Sequence, residues 1–311
     1  MTARAQEHPR PGGRLVEENL PLPSNPLGIR GVEFVEYATR EPLALGALLR
    51  KIGFQEVARH RSREVLLFRQ GGMNVIVNAH ADAVRETGRG DAPAISALAF
   101  RVRDAAYAHR RALELGAWDM PTRAAEMELS IPGIHGAGDS LIYFVDRVDE
   151  FSIYDVDFVW TEGVERHPPA LFGLHWFGVV QSVFADRTED WIDFYTALLG
   201  FERLDASHFV GVLPKGRLLR SPGGYFYLQL VEPPPGADFV EWDEQLLRVG
   251  LGTPDVPAAV RGLEERGIVF VDREPLRPTE RGALTQIYMG SVCFELVHSD
   301  ATAMQGTERA R

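Results

Sequence analysis

The hydrophobic residues of this chain keep two periods, and the order in which the periods alternate repeats four times. From Gly31, GVEFVEYA reads as a strand, and Leu45, Leu48, Leu49 and Ile52 then recur at the i, i+3, i+4, i+7 spacing of one helix face. VARHRSREVLLFRQ follows as a hairpin candidate with Ser62-Arg63 near its turn, and MNVIVN forms another apolar run after the Gly71-Gly72 break. The second unit runs from ISALAFRVRD through AAYAHRRALELGA to SLIYFVDR. In the third, FGLHWFGVV leads to TEDWIDFYTALLGF, which puts Trp191, Phe194, Tyr195, Leu198 and Leu199 on one face, and then to YFYLQLVEP. The fourth runs from LLRVGLGTPD through VPAAVRGLEERGI to ALTQIYMGSVCFELV.

The units pair. ALLRKIGF and ALLGF each close a helix at Gly-Phe, which makes the third unit an echo of the first. Laying ALAFRVRD over RVGLGTPD makes Ala97 equivalent to Arg248, and the final strands then match Tyr143 to Glu295. Ala97 and Tyr143 are 46 residues apart and Arg248 and Glu295 are 47 apart, so the fourth unit repeats the second almost without insertion. A period of about seventy residues is too long for a solenoid. The predicted fold is α+β: four βαβββ modules in two pairs, each pair an open half-barrel of mixed sheet with its helices outside. The expected organisation is a flexible leader over 1–25, a structural N-terminal module pair over 26–165, a site-bearing C-terminal pair over 166–300, and a flexible tail over 301–311. A linker is expected at Asp155 to Leu171, where Pro168-Pro169 and a charge cluster break the periodicity.

Composition narrows the function. At 311 residues with 45% hydrophobic and 25% charged content, the chain can bury a full core. A net charge of −11 argues against nucleic acid or an anionic membrane as partner and favours a small-molecule substrate, with homo-oligomerisation left open. The first residues have no apolar core like that of a signal peptide, and no run approaches a membrane span. The single cysteine, Cys293, rules out an internal disulfide and fits a reducing cytoplasm. It lies in an apolar run and reads as inert wall, not nucleophile.

Candidate chemistry centres on Glu295. In SVCFELVHS, a strand would turn Phe294 and Leu296 to one side and Cys293, Glu295 and Val297 to the other. A carboxylate on such a face is costly to bury unless it is paired, hydrogen-bonded or bound to a metal. The equivalent strands of the second module pair bring His175, Gln229, Arg248 and Glu295 to one cleft; the matching places of the first pair hold Glu33, Ala97 and Tyr143, with an apolar residue at Val75 or Ile76. His175 and Glu295 have the chemistry of a metal pair, to which Gln229 could add an amide oxygen. Arg248 cannot ligate, but it could neutralise Glu295 without any metal. Gln286 and Tyr288 in TQIYMG are further polar groups able to orient a carboxylate or keto oxygen. His80, His135, His167 and His298 sit in loops or on the opposite face and are not expected as ligands. Nucleotide-binding glycine motifs, GxSxG and HExxH are absent.

The repeated βαβββ units resemble the vicinal oxygen chelate superfamily. NPLGIRGVEFVEYA, VARHRSREVLLFRQGGMNVIVN, SLIYFVDR and SIYDVDFVW are similar to the bacterial 4-hydroxyphenylpyruvate dioxygenase family, over residues 26–298. The resemblance implies a catalytic Fe(II) in the C-terminal half-barrel, held by two histidines and a glutamate, and activation of oxygen with a 2-oxo acid. By motif, His175 matches the first ligand, Glu295 the third, and Gln286 a glutamine that helps to hold substrate. The second ligand departs: where the family has a histidine in a segment like Gln-His-Ile-Ala-Phe, this chain has LLRVGL with Arg248. The second half is also shorter than the family's, and the family's covering C-terminal helix has no counterpart before residue 311. The expectation is a metal-dependent enzyme for a small anionic, 2-oxo or enolisable substrate, with Arg248 binding a carboxylate or enolate and Gln229, Gln286 and Tyr288 contacting substrate. The alternatives are a metal-free enzyme with an Arg248–Glu295 pair and a non-catalytic binding protein of the same fold.

Overall fold

The computed structural model describes residues 24–86, 91–121, 129–148, 151–205, 207–208, 211–212, 216–233 and 242–300. The expected tail and residues 1–23 of the expected leader lie outside the described residues.

The first module is β1 (Ile29–Ala38), α1 (Pro42–Ile52), β2 (Gln55–His60), β3 (Val65–Gln70) and β4 (Met73–Asn78). After a short α2 (Ala81–Glu86), the second comprises β5 (Ala94–Val102), α3 (Ala105–Glu114), β6 (Gly133–His135) and β7 (Leu141–Val145). Then come α4 (Ile153–Asp157) and β8 (Phe158–Trp160). The third module is β9 (His175–Ser182), α5 (Thr188–Leu199), β10 (Glu202–Arg203), β11 (Arg217–Arg220) and β12 (Tyr227–Val231). The fourth is β13 (Gln245–Thr253), α6 (Val256–Glu265), β14 (Gly282–Leu284) and β15 (Phe294–His298). In the second and fourth modules the strand after the helix shrinks to a single bridge, Asp119 to Ile134 and Phe270 to Thr285.

Two mixed sheets result, ordered β6-β7-β5-β1-β4-β3-β2-β8 and β10-β11-β12-β9-β13-β15-β14. This is the expected α+β architecture of paired modules. β1 pairs antiparallel with β5 and β9 with β13, while β4, β7, β12 and β15 run parallel to their inner neighbours. The expected linker opens inside α4 and continues into β8, which pairs with β2 and extends the first sheet.

Local chemistry explains the helix ends. Gly53 (φ 116°) and Gly200 (φ 73°) take the positive φ that ends α1 and α5, and their amides bond back to carbonyls of the last turn. Asp104 and Asp255, matched in the sequence repeat, both cap: their carboxylates accept from the amides of Tyr107 and Ala258. The predicted face of α1, Leu45, Leu48, Leu49 and Ile52, is buried, as are Tyr195, Leu198 and Leu199 of α5. Full burial of each such side chain stabilises the fold by about 1.5–3 kcal/mol.

These helix faces belong to one continuous core that also takes Val35, Leu98, Val249, Phe294 and Leu296 from the strands of both sheets. A separate cluster fills the concave side of the first sheet, where Phe34, Leu67, Ile76 and Ala99 meet Ile153, Tyr154 and Phe158. The α4–β8 segment thus plugs the first half-barrel. Among the described residues, the second has no counterpart of this plug, and its inner face carries the buried Phe177, Val180, Leu218 and Val297.

Candidate functional site

Strand register decides which side chains share the second half-barrel. Gly250 of β13 lies beside Glu295 in the parallel β13–β15 pair and opposite Gly178 in the antiparallel β9–β13 pair. Two residues away on the same face, Arg248 stands opposite Val180, which itself pairs with Gln229. The matching places in the first sheet are Ala97, paired with Glu36, and Ile76. Ala99 stands beside Tyr143 as Gly250 stands beside Glu295, so the expected equivalences of Ala97 to Arg248 and Tyr143 to Glu295 hold in three dimensions.

The expected face assignment of the last strand also holds: Phe294 and Leu296 enter the shared core, while Glu295 and Val297 line a cleft with Phe177, Gly178, Val180, Leu218, Tyr227 and Gln229. Arg248 and Glu295 form an ion pair there, Nε donating to Oε2 at 3.0 Å, with side chains 10% and 5% exposed. The other oxygen, Oε1, accepts from the Val212 amide at 3.1 Å. Gly211 lies so close that a Cβ on it would come within 1.9 Å of Oε1. The backbone can cap the acid only because no side chain stands at 211. Nη2 of Arg248 is buried and, among the described residues, has no hydrogen-bond partner.

The cleft is nearly closed. Phe177 and Tyr227 stack across it at 4.8 Å between centroids and 17° between planes. The remaining cavity is about 20 Å³, room for about one water-sized group. A larger open cavity of about 510 Å³ is lined by Gly211, Val212, Pro275, Thr279, Glu280 and Arg281, but not by Gln229, Arg248 or Glu295. Burial pushes the Cys293 thiol up, an effect that Arg248 opposes and Glu295 reinforces. The thiol stays protonated, in keeping with its reading as inert wall.

The expected His175–Glu295 metal pair is not assembled. His175 pairs with Gly252, three residues along β9 from Gly178, the position level with Glu295. That offset is about 10 Å of strand. Its ring lies against Gly252, with Nδ1 2.9 Å from the Gly173 carbonyl and Nε2 3.1 Å from Ser299 Oγ. The matching had set His175 against Glu33. The register instead aligns Glu33 with Phe177, both skipped at bulges, and Glu36 with Val180. A two-residue slip preserves strand alternation, so no hydrophobic pattern reveals it.

Gln286 and Tyr288 are not brought to the corner either. Gln286 is exposed and its amide bonds the Val269 carbonyl, while the half-buried Tyr288 packs on the shared core and its hydroxyl accepts from the Val269 amide. Of the expected residues, Arg248 and Glu295 meet, and Gln229 lines the same cleft as Glu295. Sequence reasoning missed Tyr227, which the YFYLQLV pattern places on the same face two residues before Gln229. It also missed the Val212 amide, for which no side chain gives a signal. Among the described residues, no group of three His, Cys, Asp or Glu could hold a metal ion. With Val180 opposite, Arg248 bonded to one oxygen of Glu295 and an amide on the other, the residues of this corner do not fit a histidine- and glutamate-held metal.

The family described as hydroxyphenylpyruvate dioxygenase, HPPD, N-terminal matches residues 24–159. The chain is 40% identical over 186 residues to 4-hydroxyphenylpyruvate dioxygenase of Pseudomonas sp. (strain P.J. 874), covering 59% of this chain and 52% of that protein. Against the protein of the same name from Pseudomonas aeruginosa it is 31% identical over 259 residues, covering 79% of this chain and 72% of the relative. A solved xylose isomerase-like TIM barrel/4-hydroxyphenylpyruvate dioxygenase fusion protein superposes with a TM-score of 0.72 at 23% identity, over 94% of this chain and 53% of that one. The chain therefore spans about half the length of the first relative and of the fusion protein.

Proposed function

Because the chain belongs to the 4-hydroxyphenylpyruvate dioxygenase family of the vicinal oxygen chelate superfamily, we propose that it is a dioxygenase-related enzyme whose C-terminal half-barrel acts on a small anionic, 2-oxo or enolisable molecule. One observation carries the reading: Gln229 and Glu295 line the cleft of the second half-barrel, and Arg248, from a third strand, pairs with Glu295 there. Relatives named dioxygenase make oxygen chemistry the coarse expectation, with a divalent metal as its cofactor. The corner does not fit that metal, so the roles below are those of the chain's own groups.

Arg248 would bind the carboxylate or enolate oxygen and stabilise charge that develops there. Glu295, fixed by the Val212 amide, would hold the guanidinium in place. Gln229 would offer an amide to a second oxygen. Phe177 and Tyr227 would exclude water once the ligand is seated.

Metal analysis of untagged protein, combined with oxygen uptake and α-proton exchange of 2-oxo acids in deuterated buffer, tests the proposal. Exchange or turnover that Arg248→Met abolishes is the expected result. Stoichiometric iron with oxygen uptake would make the dioxygenase reading whole, including its metal. Binding without exchange or turnover would leave a non-catalytic binding protein. That second reading is favoured by the engagement of both Glu295 oxygens, which leaves no free base at the corner.

A further inference from the structure

We infer that the Arg248 corner is a metal-free receptor for one negatively charged oxygen of a small ligand, with the guanidinium as its anchor. The inference rests on the reading of the cleft as a small-molecule site and names the chemistry that the site recognises.

The donor bookkeeping of the corner carries it. Arginine has five N–H donors and cannot give up its proton. Arg248 spends Nε on Glu295, while the two hydrogens of Nη2 are buried without an acceptor among the described residues. An unmet buried donor costs about 1–3 kcal/mol, and more on a charged group. A hydrophobic residue would have closed the corner without that cost, as Ala97 does at the matching place of the first sheet. An acceptor oxygen from a ligand would satisfy it.

Charge and size define the acceptor. The Val212 amide takes one Glu295 oxygen, so the carboxylate's charge is shared between amide and guanidinium. The guanidinium is not saturated by a bidentate pair and retains attraction for a second anion. The cavity of about 20 Å³ that Glu295 and Gln229 line, beside the ion pair, admits one oxygen-sized group. A whole carboxylic acid therefore enters only if the half-buried Tyr227 ring swings off the more deeply buried Phe177.

The test is calorimetric titration of the untagged, chelator-treated full chain with pyruvate, phenylpyruvate and the uncharged ester methyl pyruvate. The variant is the double substitution Arg248→Met with Glu295→Gln, which removes both charges together and strands neither. Binding of the acids without metal is expected, with the ester and the double variant each about 10- to 100-fold weaker. Equal affinity for acid and ester, binding that appears only after Fe(II) is added, or undiminished affinity in the double variant would overturn the anchor. If the acids bind the double variant as tightly as the wild type, the anchor fails while the small-molecule cleft stands. If no probe binds with or without metal, both fail. A second measurement is independent of ligand: Arg248→His alone should bind no Fe(II), because Val180 occupies the strand opposite. Stoichiometric Fe(II) in that variant would overturn the account of the corner.

Discussion

Each half-barrel buries a glutamate against an arginine, and the two pairs are finished in different ways. In the first, Glu33 is 2% exposed and receives Asn74 Nδ2 at 3.1 Å, the Tyr154 hydroxyl at 2.9 Å and Arg101. Arg69 extends the network, donating to Asn74 and to the Arg166 carbonyl and stacking over Tyr154 and Trp160. Both oxygens of Glu33 are engaged, Oε1 twice, and α4 packs over the pair. In the second, among the described residues, Glu295 has one amide and one guanidinium nitrogen, and the arginine keeps a donor unmet. The register sharpens the contrast, because the places of Glu33 and Asn74 correspond to the stacked Phe177 and Tyr227. The duplicated fold supplies equivalent positions; a completed polar network makes one of them structure, and an incomplete one leaves the other available to a ligand.

Breaking the second pair on one side should produce the largest effect. Arg248→Met alone leaves a buried carboxylate without its cation and should cost about 3–5 kcal/mol in urea unfolding, with most of the loss recovered in the double variant that also carries Glu295→Gln. Equal stability of the single and double variants would show that the two groups are not coupled.

Breaking the first pair should cost less. Glu33→Gln leaves Arg101 able to turn to water, since its side chain is 37% exposed, and a loss of about 1–3 kcal/mol is expected in the same assay. A larger loss than for Arg248→Met would reverse the comparison.

The third effect is a slope. Glu36 stands at the place of Val180 in the first sheet, its Oε1 accepting from Ser96 at 2.9 Å and Asn78 at 3.2 Å. Burial raises its pKa above 4.5, more than these bonds and Arg63 lower it. The native state therefore holds the proton more tightly than the unfolded state, so this contribution is full below about pH 4.5 and is lost as pH rises through the folded value. Glu36→Gln removes the titration. Its melting temperature relative to wild type should rise between about pH 4.5 and neutrality; a constant difference would show that the carboxyl is not perturbed.

Smallest of all, His175→Ala should cost about 1 kcal/mol, one partly buried hydrogen bond, and leave carboxylate affinity and metal content unchanged. A loss of bound metal in this variant would restore His175 to the site.

The sequence by itself determined the four modules, their pairing and the burial faces of α1 and α5, because periodicity and capping are local properties that each segment carries alone. It also determined that Glu295 faces inward and that Arg248 and Tyr143 have the counterparts they do, since the second and fourth modules run almost without insertion between those points. It did not determine partners. Whether His175 takes the place of Glu33 or of Gly31 turns on a two-residue register, to which strand alternation is blind. The Val212 amide reaches Glu295 across 83 residues of chain, and Tyr154 reaches Glu33 across 121. Contacts at such separations are set by how the strands and loops close on one another, and only the tertiary structure decides which buried charge is completed and which is left with a donor to share.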